Sequence, residues 1–224
     1  MVAVPGLFIT LEGIDGCGKT TQARLLTAWL RKHGHPVLAT REPGGTEAGR
    51  RLRRLLLAPD RSLTPAAELF LYLADRSLHV TEVIRPGLAR GEVVVCERHT
   101  DSTLAYQGYG RGLDLALLRR LNTLATDGLR PDLTVVLDLP PSRARLDAKR
   151  RDRLESEGET FAGRVAEGFR ELARGEPERV KLVNASAEVQ EVHAEIAALV
   201  QQLIAGQAPS GGGGSPEETA REGS

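Results

Sequence analysis

Cysteine is scarce in this chain, which limits the kinds of site that the chain can form. The sequence has 2 cysteines, Cys17 and Cys96, and neither has a partner at the spacing of a metal-ligand motif. Disulfide-dependent proteins and structural zinc sites use closely and regularly spaced cysteines. We therefore expect neither a disulfide framework nor a zinc site.

An excess of charge of either sign is also absent. The chain has 30 basic and 30 acidic residues, so its formal net charge is zero. Proteins that hold nucleic acids by neutralising phosphates carry a basic surface, so this balance argues against a nucleic-acid partner. Lysine is rare: Lys19, Lys32, Lys149 and Lys181 are the 4 lysines, which leaves 26 arginines among the basic residues. Arginine binds phosphate through paired hydrogen bonds, so this bias suits a phosphate-binding protein.

Long hydrophobic runs are missing as well. No stretch is long enough to span a membrane, and the N-terminus lacks a basic region followed by a signal-length apolar segment. From this we expect no membrane partner and a cytoplasmic location. The 224 residues, 41% hydrophobic and 27% charged, suit one globular core. We predict one domain over residues 1–205 and a flexible, Gly/Ser-rich tail over 206–224.

The most specific feature that is present is a glycine-rich segment near the N-terminus. Residues 13–20 read Gly-Ile-Asp-Gly-Cys-Gly-Lys-Thr, the G-x-x-x-x-G-K-T pattern of a phosphate-binding loop. An apolar segment precedes it and a helical pattern follows it, which is the expected context. The backbone N–H groups can surround a phosphate, Lys19 can reach the outer phosphates, and Thr20 can bind Mg²⁺. The sequence therefore predicts a nucleoside triphosphate site.

Short apolar segments alternate with helical patterns along the rest of the chain. Strands are predicted at 7–11, 36–40, 93–96, 133–139 and 180–183. Helices are predicted at 20–32, 47–57, from 65 with Thr64 as N-cap, 81–90, 113–126, from 142, 161–173 and 189–204. This alternation favours an α/β fold with a five-stranded, parallel, doubly wound sheet.

Charged residues follow two of the predicted strands. The turn at 41–46 follows the second strand, and Glu97, Arg98 and His99 follow the third. Open α/β sheets bind ligands at the carboxyl ends of their strands, so these loops should converge on the phosphate-binding loop. An arginine-rich stretch at about 147–158 could close over the site as a lid. From the residues alone, a solvated helix face is the better interpretation of that stretch, and Arg98 could be an ordinary surface residue.

Five motifs, in order, make the chain similar to thymidylate kinases of the bacterial type. They are the loop at 11–22, the turn at 41–46, Ala74-Asp75-Arg76, the run from 98 to 108, and 137–139 leading to 152–155. The similarity covers roughly residues 6–204. It implies the P-loop nucleoside monophosphate kinase fold, a homodimer, and transfer of the γ-phosphoryl group of ATP to dTMP, with Mg²⁺, giving dTDP.

The resemblance implies residues for the donor side. The phosphates of ATP would be held by Gly13, Ile14, Asp15, Gly16, Cys17, Gly18, Lys19, Thr20 and Thr21, with Arg150 and Arg151 from the lid. Thr20 and Glu97 would hold Mg²⁺. The catalytic groups would be Lys19, Asp15, Arg98 and Arg153.

It also implies residues for dTMP. These are Asp15, Glu42, Pro43, Arg53, Tyr72, Arg76, Arg98, Ser102, Thr103, Tyr106 and Gln107. Arg53 and Arg98 would bind the acceptor phosphate, and Asp15 would approach the 3′-hydroxyl of the sugar. Arg76 would reach a thymine carbonyl, Thr103 would lie near the ring nitrogen, and Tyr106 would crowd a 2′-hydroxyl.

Two positions depart from the family pattern. Tyr72 stands where the family has a phenylalanine stacked on thymine, and Glu97 stands where it has aspartate. Gly16 occupies a position that carries the catalytic arginine in other family members, which fits an arginine supplied by the lid. From the residues alone, Tyr72 could be a core aromatic and Glu42 a helix cap.

Two other functions stay open. One is another nucleotide or nucleoside kinase of this fold, since dTMP and dUMP differ by one methyl group, worth about 1 kcal/mol. The other is a nucleotide-binding switch or regulatory ATPase, which would have no need for a second group of arginines.

Overall fold

A single parallel sheet forms the centre of the molecule. The computed structural model describes residues 6–59, 62–144 and 153–207. Its strands are β1 (Leu7–Glu12), β2 (Val37–Arg41), β3 (Val93–Glu97), β4 (Leu133–Asp138) and β5 (Val180–Asn184). All neighbours are parallel, in the order β2-β3-β1-β4-β5. The predicted five-stranded parallel sheet is confirmed, with strand limits within one residue of the prediction.

Helices connect the strands and pack against the sheet. They are α1 (Lys19–Lys32), α2 (Glu47–Leu57), α3 (Pro65–His79), α4 (Arg85–Ala89), α5 (Thr100–Thr103), α6 (Leu115–Thr126), α7 (Glu159–Gly175) and α8 (Val189–Gln207). Two π-helical segments, Val80–Ile84 and Leu104–Gly110, and two 3₁₀ turns, Pro141–Arg143 and Glu155–Glu157, complete the described elements. The Thr64 hydroxyl accepts a hydrogen bond from Ala67 N at 3.2 Å, so the predicted N-cap of α3 is confirmed.

Three helical predictions were wrong in part. Helices α3 and α4 join through the π segment Val80–Ile84 into one continuous helix, where the sequence predicted two. The chain from Thr100 to Gly110 is helical, although no helix was predicted there. The helix predicted from Ser142 is a 3₁₀ turn over Pro141–Arg143.

Strand β1 is buried on both faces, which makes the sheet doubly wound. Leu7, Ile9 and Leu11 point into the larger apolar core, together with side chains of α1, α7 and α8. Phe8 points to the opposite face and packs with Ile84 and other residues of the smaller core. This alternation is the period-2 pattern of a strand with a helical layer on each side.

Parts of two predicted segments lie outside the described residues. Arg150 and Arg151 of the predicted lid are among them, and so is the predicted tail from residue 208 onward. Within the described chain, none of the helices combines the length and apolar character needed to cross a bilayer.

Candidate active site

The loops after β1, β2 and β3 meet at the carboxyl-terminal edge of the sheet, as the sequence predicted. They line a cleft of about 710 Å³. The phosphate-binding loop residues from Asp15 to Thr21 form its floor, and Arg41, Arg53 and Arg98 lie on one side. Three arginines beside a phosphate-binding loop give the cleft the chemistry of a site for highly charged anions.

The phosphate-binding loop has the backbone shape that its glycines permit. Gly13, Gly16 and Gly18 have φ values of 130°, 74° and 102°, which side chains disfavour. A Cβ on Gly13 would also lie 2.7 Å from the carbonyl oxygen of Leu137. The Lys19 ammonium curls over the loop and donates to the carbonyl oxygens of Gly13 (3.1 Å) and Ile14 (2.6 Å). The loop thus holds the Lys19 ammonium beside backbone N–H groups that can bind an anion.

A hydroxyl and a carboxylate meet at the start of α1. Thr20 Oγ1 donates to Glu97 Oε2 at 2.6 Å, and both residues line the cleft. Hard oxygen ligands of this kind suit Mg²⁺, which is usually held by one or two protein oxygens plus substrate phosphates. Among the described residues, no group of three or more His, Cys, Asp or Glu side chains is arranged as metal ligands.

Arg98 forms a charged cluster with the phosphate-binding loop. Its Nη2 donates to Asp15 Oδ1 at 2.5 Å and to the Tyr106 hydroxyl at 2.9 Å, and that hydroxyl donates to Asp15 Oδ2 at 2.8 Å. Its Nη1 donates to Gly13 O at 3.0 Å and Ser102 Oγ at 3.1 Å. Burial raises the pKa of the Asp15 carboxyl, but Arg98 and Lys19 outweigh burial and lower it to about 2. Asp15 therefore stays ionised and keeps Arg98 in place.

A buried carboxylate lies beneath this cluster. Glu12, at the end of β1, accepts hydrogen bonds from His99 N (2.7 Å), Ser102 N (3.3 Å) and Ser102 Oγ (2.5 Å). Burial and the charge of Asp101 raise the pKa of the Glu12 carboxyl to about 7. Glu12 fixes the start of α5, the helix that the sequence did not predict, and thereby positions Ser102 against Arg98.

Arg76 is almost fully enclosed by protein partners. Its exposed fraction is 2%, and its guanidinium donates to Glu42 Oε2 (2.9 Å), Thr103 Oγ1 (2.7 Å), Asn122 Oδ1 (2.6 Å) and His99 O (2.8 Å). Four of its five N–H groups are therefore used inside the chain. This network joins α3, the β2 turn, α5 and α6 into one rigid wall of the site.

The buried carboxylate of Glu42 holds the side chains of this wall together. Its Oε1 lies 3.0 Å from the Nδ1 atoms of both His79 and His99. Burial raises the pKa of the Glu42 carboxyl, but His99 and Arg76 outweigh burial and hold it well below its usual range. Both carboxylate oxygens already accept hydrogen bonds from protein groups. Glu42 would therefore contact a substrate as part of the cavity wall, and not through an unpaired carboxylate oxygen. The helix-cap alternative was wrong, because the N-cap of α2 is Thr46.

A second, narrow cavity adjoins the cleft. It measures about 30 Å³ and is lined by Glu42, Pro43, Tyr72, Arg76, Arg98, Ser102, Thr103, Tyr106, Gln107 and Leu154. The structure thus brings nine of the predicted substrate-binding residues together at one cavity. Tyr72 also packs against the main core. It is therefore both a wall of the cavity and a core aromatic, so both predicted interpretations hold. Burial raises the pKa of the Tyr72 hydroxyl, which stays neutral.

Arg98 and Glu42 belong to both cavities, and Arg53 flanks them. Arg53 lines the larger cleft, and its Nη1 donates to Pro43 O at 3.0 Å. Arg98 lines the cleft and the narrow cavity alike. Arg98 and Glu42 therefore form the boundary between the two spaces, with Arg53 beside it.

Arg153 lies in a place that the sequence did not predict. Its Nη2 donates to Glu68 Oε2 at 2.5 Å and its Nε to Leu56 O at 3.0 Å, and the side chain is 9% exposed. The structure therefore docks Arg153 against α2 and α3 instead of bringing it to the phosphate-binding loop. Contacts this far apart in the chain leave no sequence signal.

The residues on the opposite side of the cleft were not predicted from the sequence. This side is formed by Leu139, Arg143, the loop 185–189 and Val192. Gln22 Nε2 donates to Val189 O at 3.0 Å and ties this loop to α1. The loop follows β5 at the same sheet edge as the other three loops, and that position was the available signal.

Comparisons with known proteins give one consistent result. A family model described as "Thymidylate kinase" matches residues 11–196. A thymidylate kinase of Synechococcus sp. (strain JA-2-3B'a(2-13)) is 55% identical over 198 residues, covering 88% of this chain and 96% of that protein. One of Desulforudis audaxviator (strain MP104C) is 52% identical over 211 residues, covering 92% and 96%. The crystal structure of thymidylate kinase from Ehrlichia chaffeensis is similar with a TM-score of 0.75 and 36% identity, covering 88% of this chain and all of that one.

Proposed function

The chain belongs to the thymidylate kinase family, and from this premise we propose how its cleft performs the family's reaction. It transfers the γ-phosphoryl group of ATP to dTMP and releases dTDP and ADP. Catalysis of this reaction consists mainly of positioning and charge neutralisation. The proposals below concern which residues perform these tasks.

The observation that carries the assignment is that Arg98 lines both cavities. A monophosphate whose base occupies the narrow cavity would place its phosphate at this boundary, beside the phosphate-binding loop. Arg98 and Arg53 would bind that phosphate, and Asp15 and Tyr106 would adjoin the sugar. The Asp15 pair supports this role, because it holds the guanidinium in place before the substrate arrives.

The donor phosphates would occupy the loop cradle. Loop N–H groups and Lys19 would hold them, and Lys19 would exchange its two carbonyl contacts for phosphate oxygens. Thr20 and Glu97 would hold Mg²⁺, directly or through water. When bound, this ion would neutralise charge on the donor phosphates.

The base would lie in the narrow cavity. The fifth N–H group of Arg76 would reach a thymine carbonyl, and Tyr72 would offer its ring face for stacking. Thr103 and Gln107 would lie along the base edge. A cavity of about 30 Å³ must widen to admit a base, and Leu154 of its wall is next to the docked Arg153.

The lid would supply the cation that meets the developing charge. Arg153 would do so only by leaving Glu68, and Arg150 and Arg151 are the neighbouring candidates. An arginine from this group would be needed, because Gly16 stands where other family members carry the catalytic arginine in the phosphate-binding loop.

We also propose a homodimer in the cytoplasm and a dispensable tail. Leu69, Leu73 and Val80 lie along the same continuous helix but are buried inside the chain, so they do not present an interface. Phe70 on α3 is 61% exposed and is the better interface candidate. Light scattering of the wild type and Phe70→Glu would test it, since a dimer through Phe70 should dissociate in the variant. Truncation at Gly206 should leave turnover intact.

The test of the function is an ADP-release assay with ATP, Mg²⁺ and each nucleoside monophosphate in turn. We expect release with dTMP, weaker release with dUMP and none with the others. Release with a different monophosphate would indicate another nucleotide kinase, and slow release without any acceptor would indicate an ATPase. Lys19→Met, purified in parallel, controls for contaminating kinases because it should lose the activity.

A further inference from the structure

Glu68 on α3 is a buried carboxylate that receives several donors. Its exposed fraction is 1%, and its oxygens accept from Gln107 Nε2 (2.7 Å), Arg111 Nε (3.4 Å) and Nη2 (3.1 Å), and Arg153 Nη2 (2.5 Å). Burial raises the pKa of the Glu68 carboxyl, but hydrogen bonds from Arg111 and Gln107 outweigh burial and lower it. Glu68 is therefore an ionised group that only accepts hydrogen bonds.

This contact determines which way the Gln107 amide faces. A carboxylate cannot donate, so the NH₂ group of Gln107 must turn toward Glu68. Gln107 is also a wall of the narrow cavity and is 2% exposed. With its NH₂ group bound to Glu68, Gln107 has its amide oxygen left to face the cavity, and this oxygen is a hydrogen-bond acceptor.

The other contacts of Glu68 hold the carboxylate itself in place. Arg111 Nη2 lies 3.1 Å from Glu68 Oε2 and 2.6 Å from Glu157 Oε1, and Arg153 Nη2 also donates to Glu68 Oε2. Leu154, adjacent to Arg153, lines the cavity beside Gln107. The same carboxylate thus supports two neighbouring walls of the cavity.

We propose that Glu68 is a positioning residue for base selection, which acts by holding the Gln107 amide with its oxygen toward the base. An acceptor at this place favours a base edge that carries an N–H, such as N3–H of thymine, over one that carries a lone pair, such as N3 of cytosine. Discrimination of this kind comes from leaving buried polar groups unpaired with the wrong base. The inference rests on the proposed function of the cavity.

The test compares dTMP with 5-methyl-dCMP, which keeps the methyl group and lacks the N3 hydrogen. The quantity measured is the ratio of kcat/KM for the two substrates. In Glu68→Gln, the side chain at 68 can donate as well as accept, so the Gln107 amide can rotate. We expect the ratio to fall about tenfold, with the KM for ATP unchanged. Glu157→Gln, which removes a carboxylate that contacts Arg111, is the matched control and should keep the wild-type ratio.

A double-mutant cycle separates positioning from a general structural effect. In a Gln107→Leu background, Glu68→Gln should change the ratio less than about twofold, because the group it orients is gone. An equal fall in both backgrounds, or a wild-type ratio in Glu68→Gln, would overturn the inference. If Glu68→Gln does not fold, Glu68→Asp, which keeps the charge but withdraws it from Gln107, serves in the same cycle. Absence of dTMP turnover in the wild type would instead overturn the proposed function, and this inference with it.

Discussion

The Nη2 atom of Arg98 lies 2.5 Å from Oδ1 of Asp15, across the mouth of the phosphate-binding loop. The pair joins the end of β3 to the loop after β1, and the Tyr106 hydroxyl bridges both partners. Arg98 has a φ of 66°, so the backbone itself is turned to present the guanidinium at this place. A cation held in this way needs little reorganisation when charge develops beside it.

Arg98→Ala should impair transfer far more than ATP binding. We expect kcat/KM for dTMP to fall about 100-fold or more, since the acceptor phosphate loses its main cation. The affinity for ATP, measured by titration without acceptor, should change little. Arg98→Lys should recover only part of the loss, because lysine lacks the planar fork. Equal losses in transfer and ATP binding would refute the placement of Arg98 at the acceptor phosphate.

Glu97→Gln should raise the Mg²⁺ concentration needed for half-maximal activity by about tenfold, because Glu97 supplies the charge beside Thr20. The measurement is an Mg²⁺ titration of activity at saturating ATP and dTMP. Glu92→Gln changes a glutamate just before the other end of β3, where it pairs with Arg90, and should leave the titration unchanged. The same Mg²⁺ requirement in Glu97→Gln and the wild type would remove Glu97 from the metal site.

The sheet and the phosphate-binding loop could be predicted because their signals are local. Each strand is a short apolar run, and the loop needs glycine where its φ values are positive. The segment Thr100–Gly110 gave no such signal, since β-branched residues and glycines disfavour a helix. Its helix is stabilised by partners that are distant in sequence, such as Glu12 for Ser102 and Asp15 for Tyr106. Sequence motifs identified these site residues, but not the helix that carries them.

The errors at the other helices have related causes. The π turn at Val80–Ile84 shifts the helical period, so one continuous helix was predicted as two. The docking of Arg153 on Glu68 joins residues 85 positions apart, which no local pattern encodes. The loop after β5 carries small residues, Ala185, Ser186 and Ala187, in place of the charges that marked the other strand ends.

Arg153→Ala should lower kcat with a smaller effect on the KM for dTMP. A lid cation acts mainly in the transition state, so we expect about a tenfold or larger loss of kcat. Arg174→Ala removes an exposed arginine of α7 that pairs with Glu167 and Glu171, and it should leave kcat unchanged. An unchanged kcat in Arg153→Ala would move the catalytic role to Arg150 or Arg151.

Glu12 should make the protein less stable as the pH rises through the range between its two pKa values. The folded pKa of about 7 lies above the usual 4.5, so the folded state binds this proton more tightly than the unfolded chain. Its contribution is fully present below about pH 4.5 and is lost by about pH 7, and amounts to about 3 kcal/mol. Glu12→Gln, which can keep the contacts to His99 N and Ser102, does not titrate.

The measurement is the melting temperature of both proteins between pH 4.5 and 7.5. The wild type should lose stability relative to Glu12→Gln across this range, whereas Glu47→Gln, at an exposed position of α2, should follow the wild type. A constant difference between the wild type and Glu12→Gln would show that Glu12 does not titrate there.

Two glycines of α7 provide a direct test of how tightly this helix packs on the segment Leu104–Gly110. A Cβ on Gly168 would lie 2.7 Å from Cγ and 2.8 Å from Cβ of Tyr109, and the Cβ of Tyr109 cannot move without the backbone. Gly163, in the same helix, has no atom within 4 Å of its added Cβ. Gly168→Ala should therefore cost about 1–3 kcal/mol of the free energy of unfolding, whereas Gly163→Ala should be neutral or stabilising by up to about 1 kcal/mol.

Thermal unfolding distinguishes the two variants, with a fall of several degrees expected for Gly168→Ala alone. The same variant should also raise the KM for dTMP, because the segment that Tyr109 belongs to carries Tyr106 and Gln107 into the narrow cavity. Equal melting temperatures for Gly163→Ala and Gly168→Ala would mean that α7 can move away from Tyr109 at no cost. In that case the helix would not be what fixes the position of Tyr106 and Gln107.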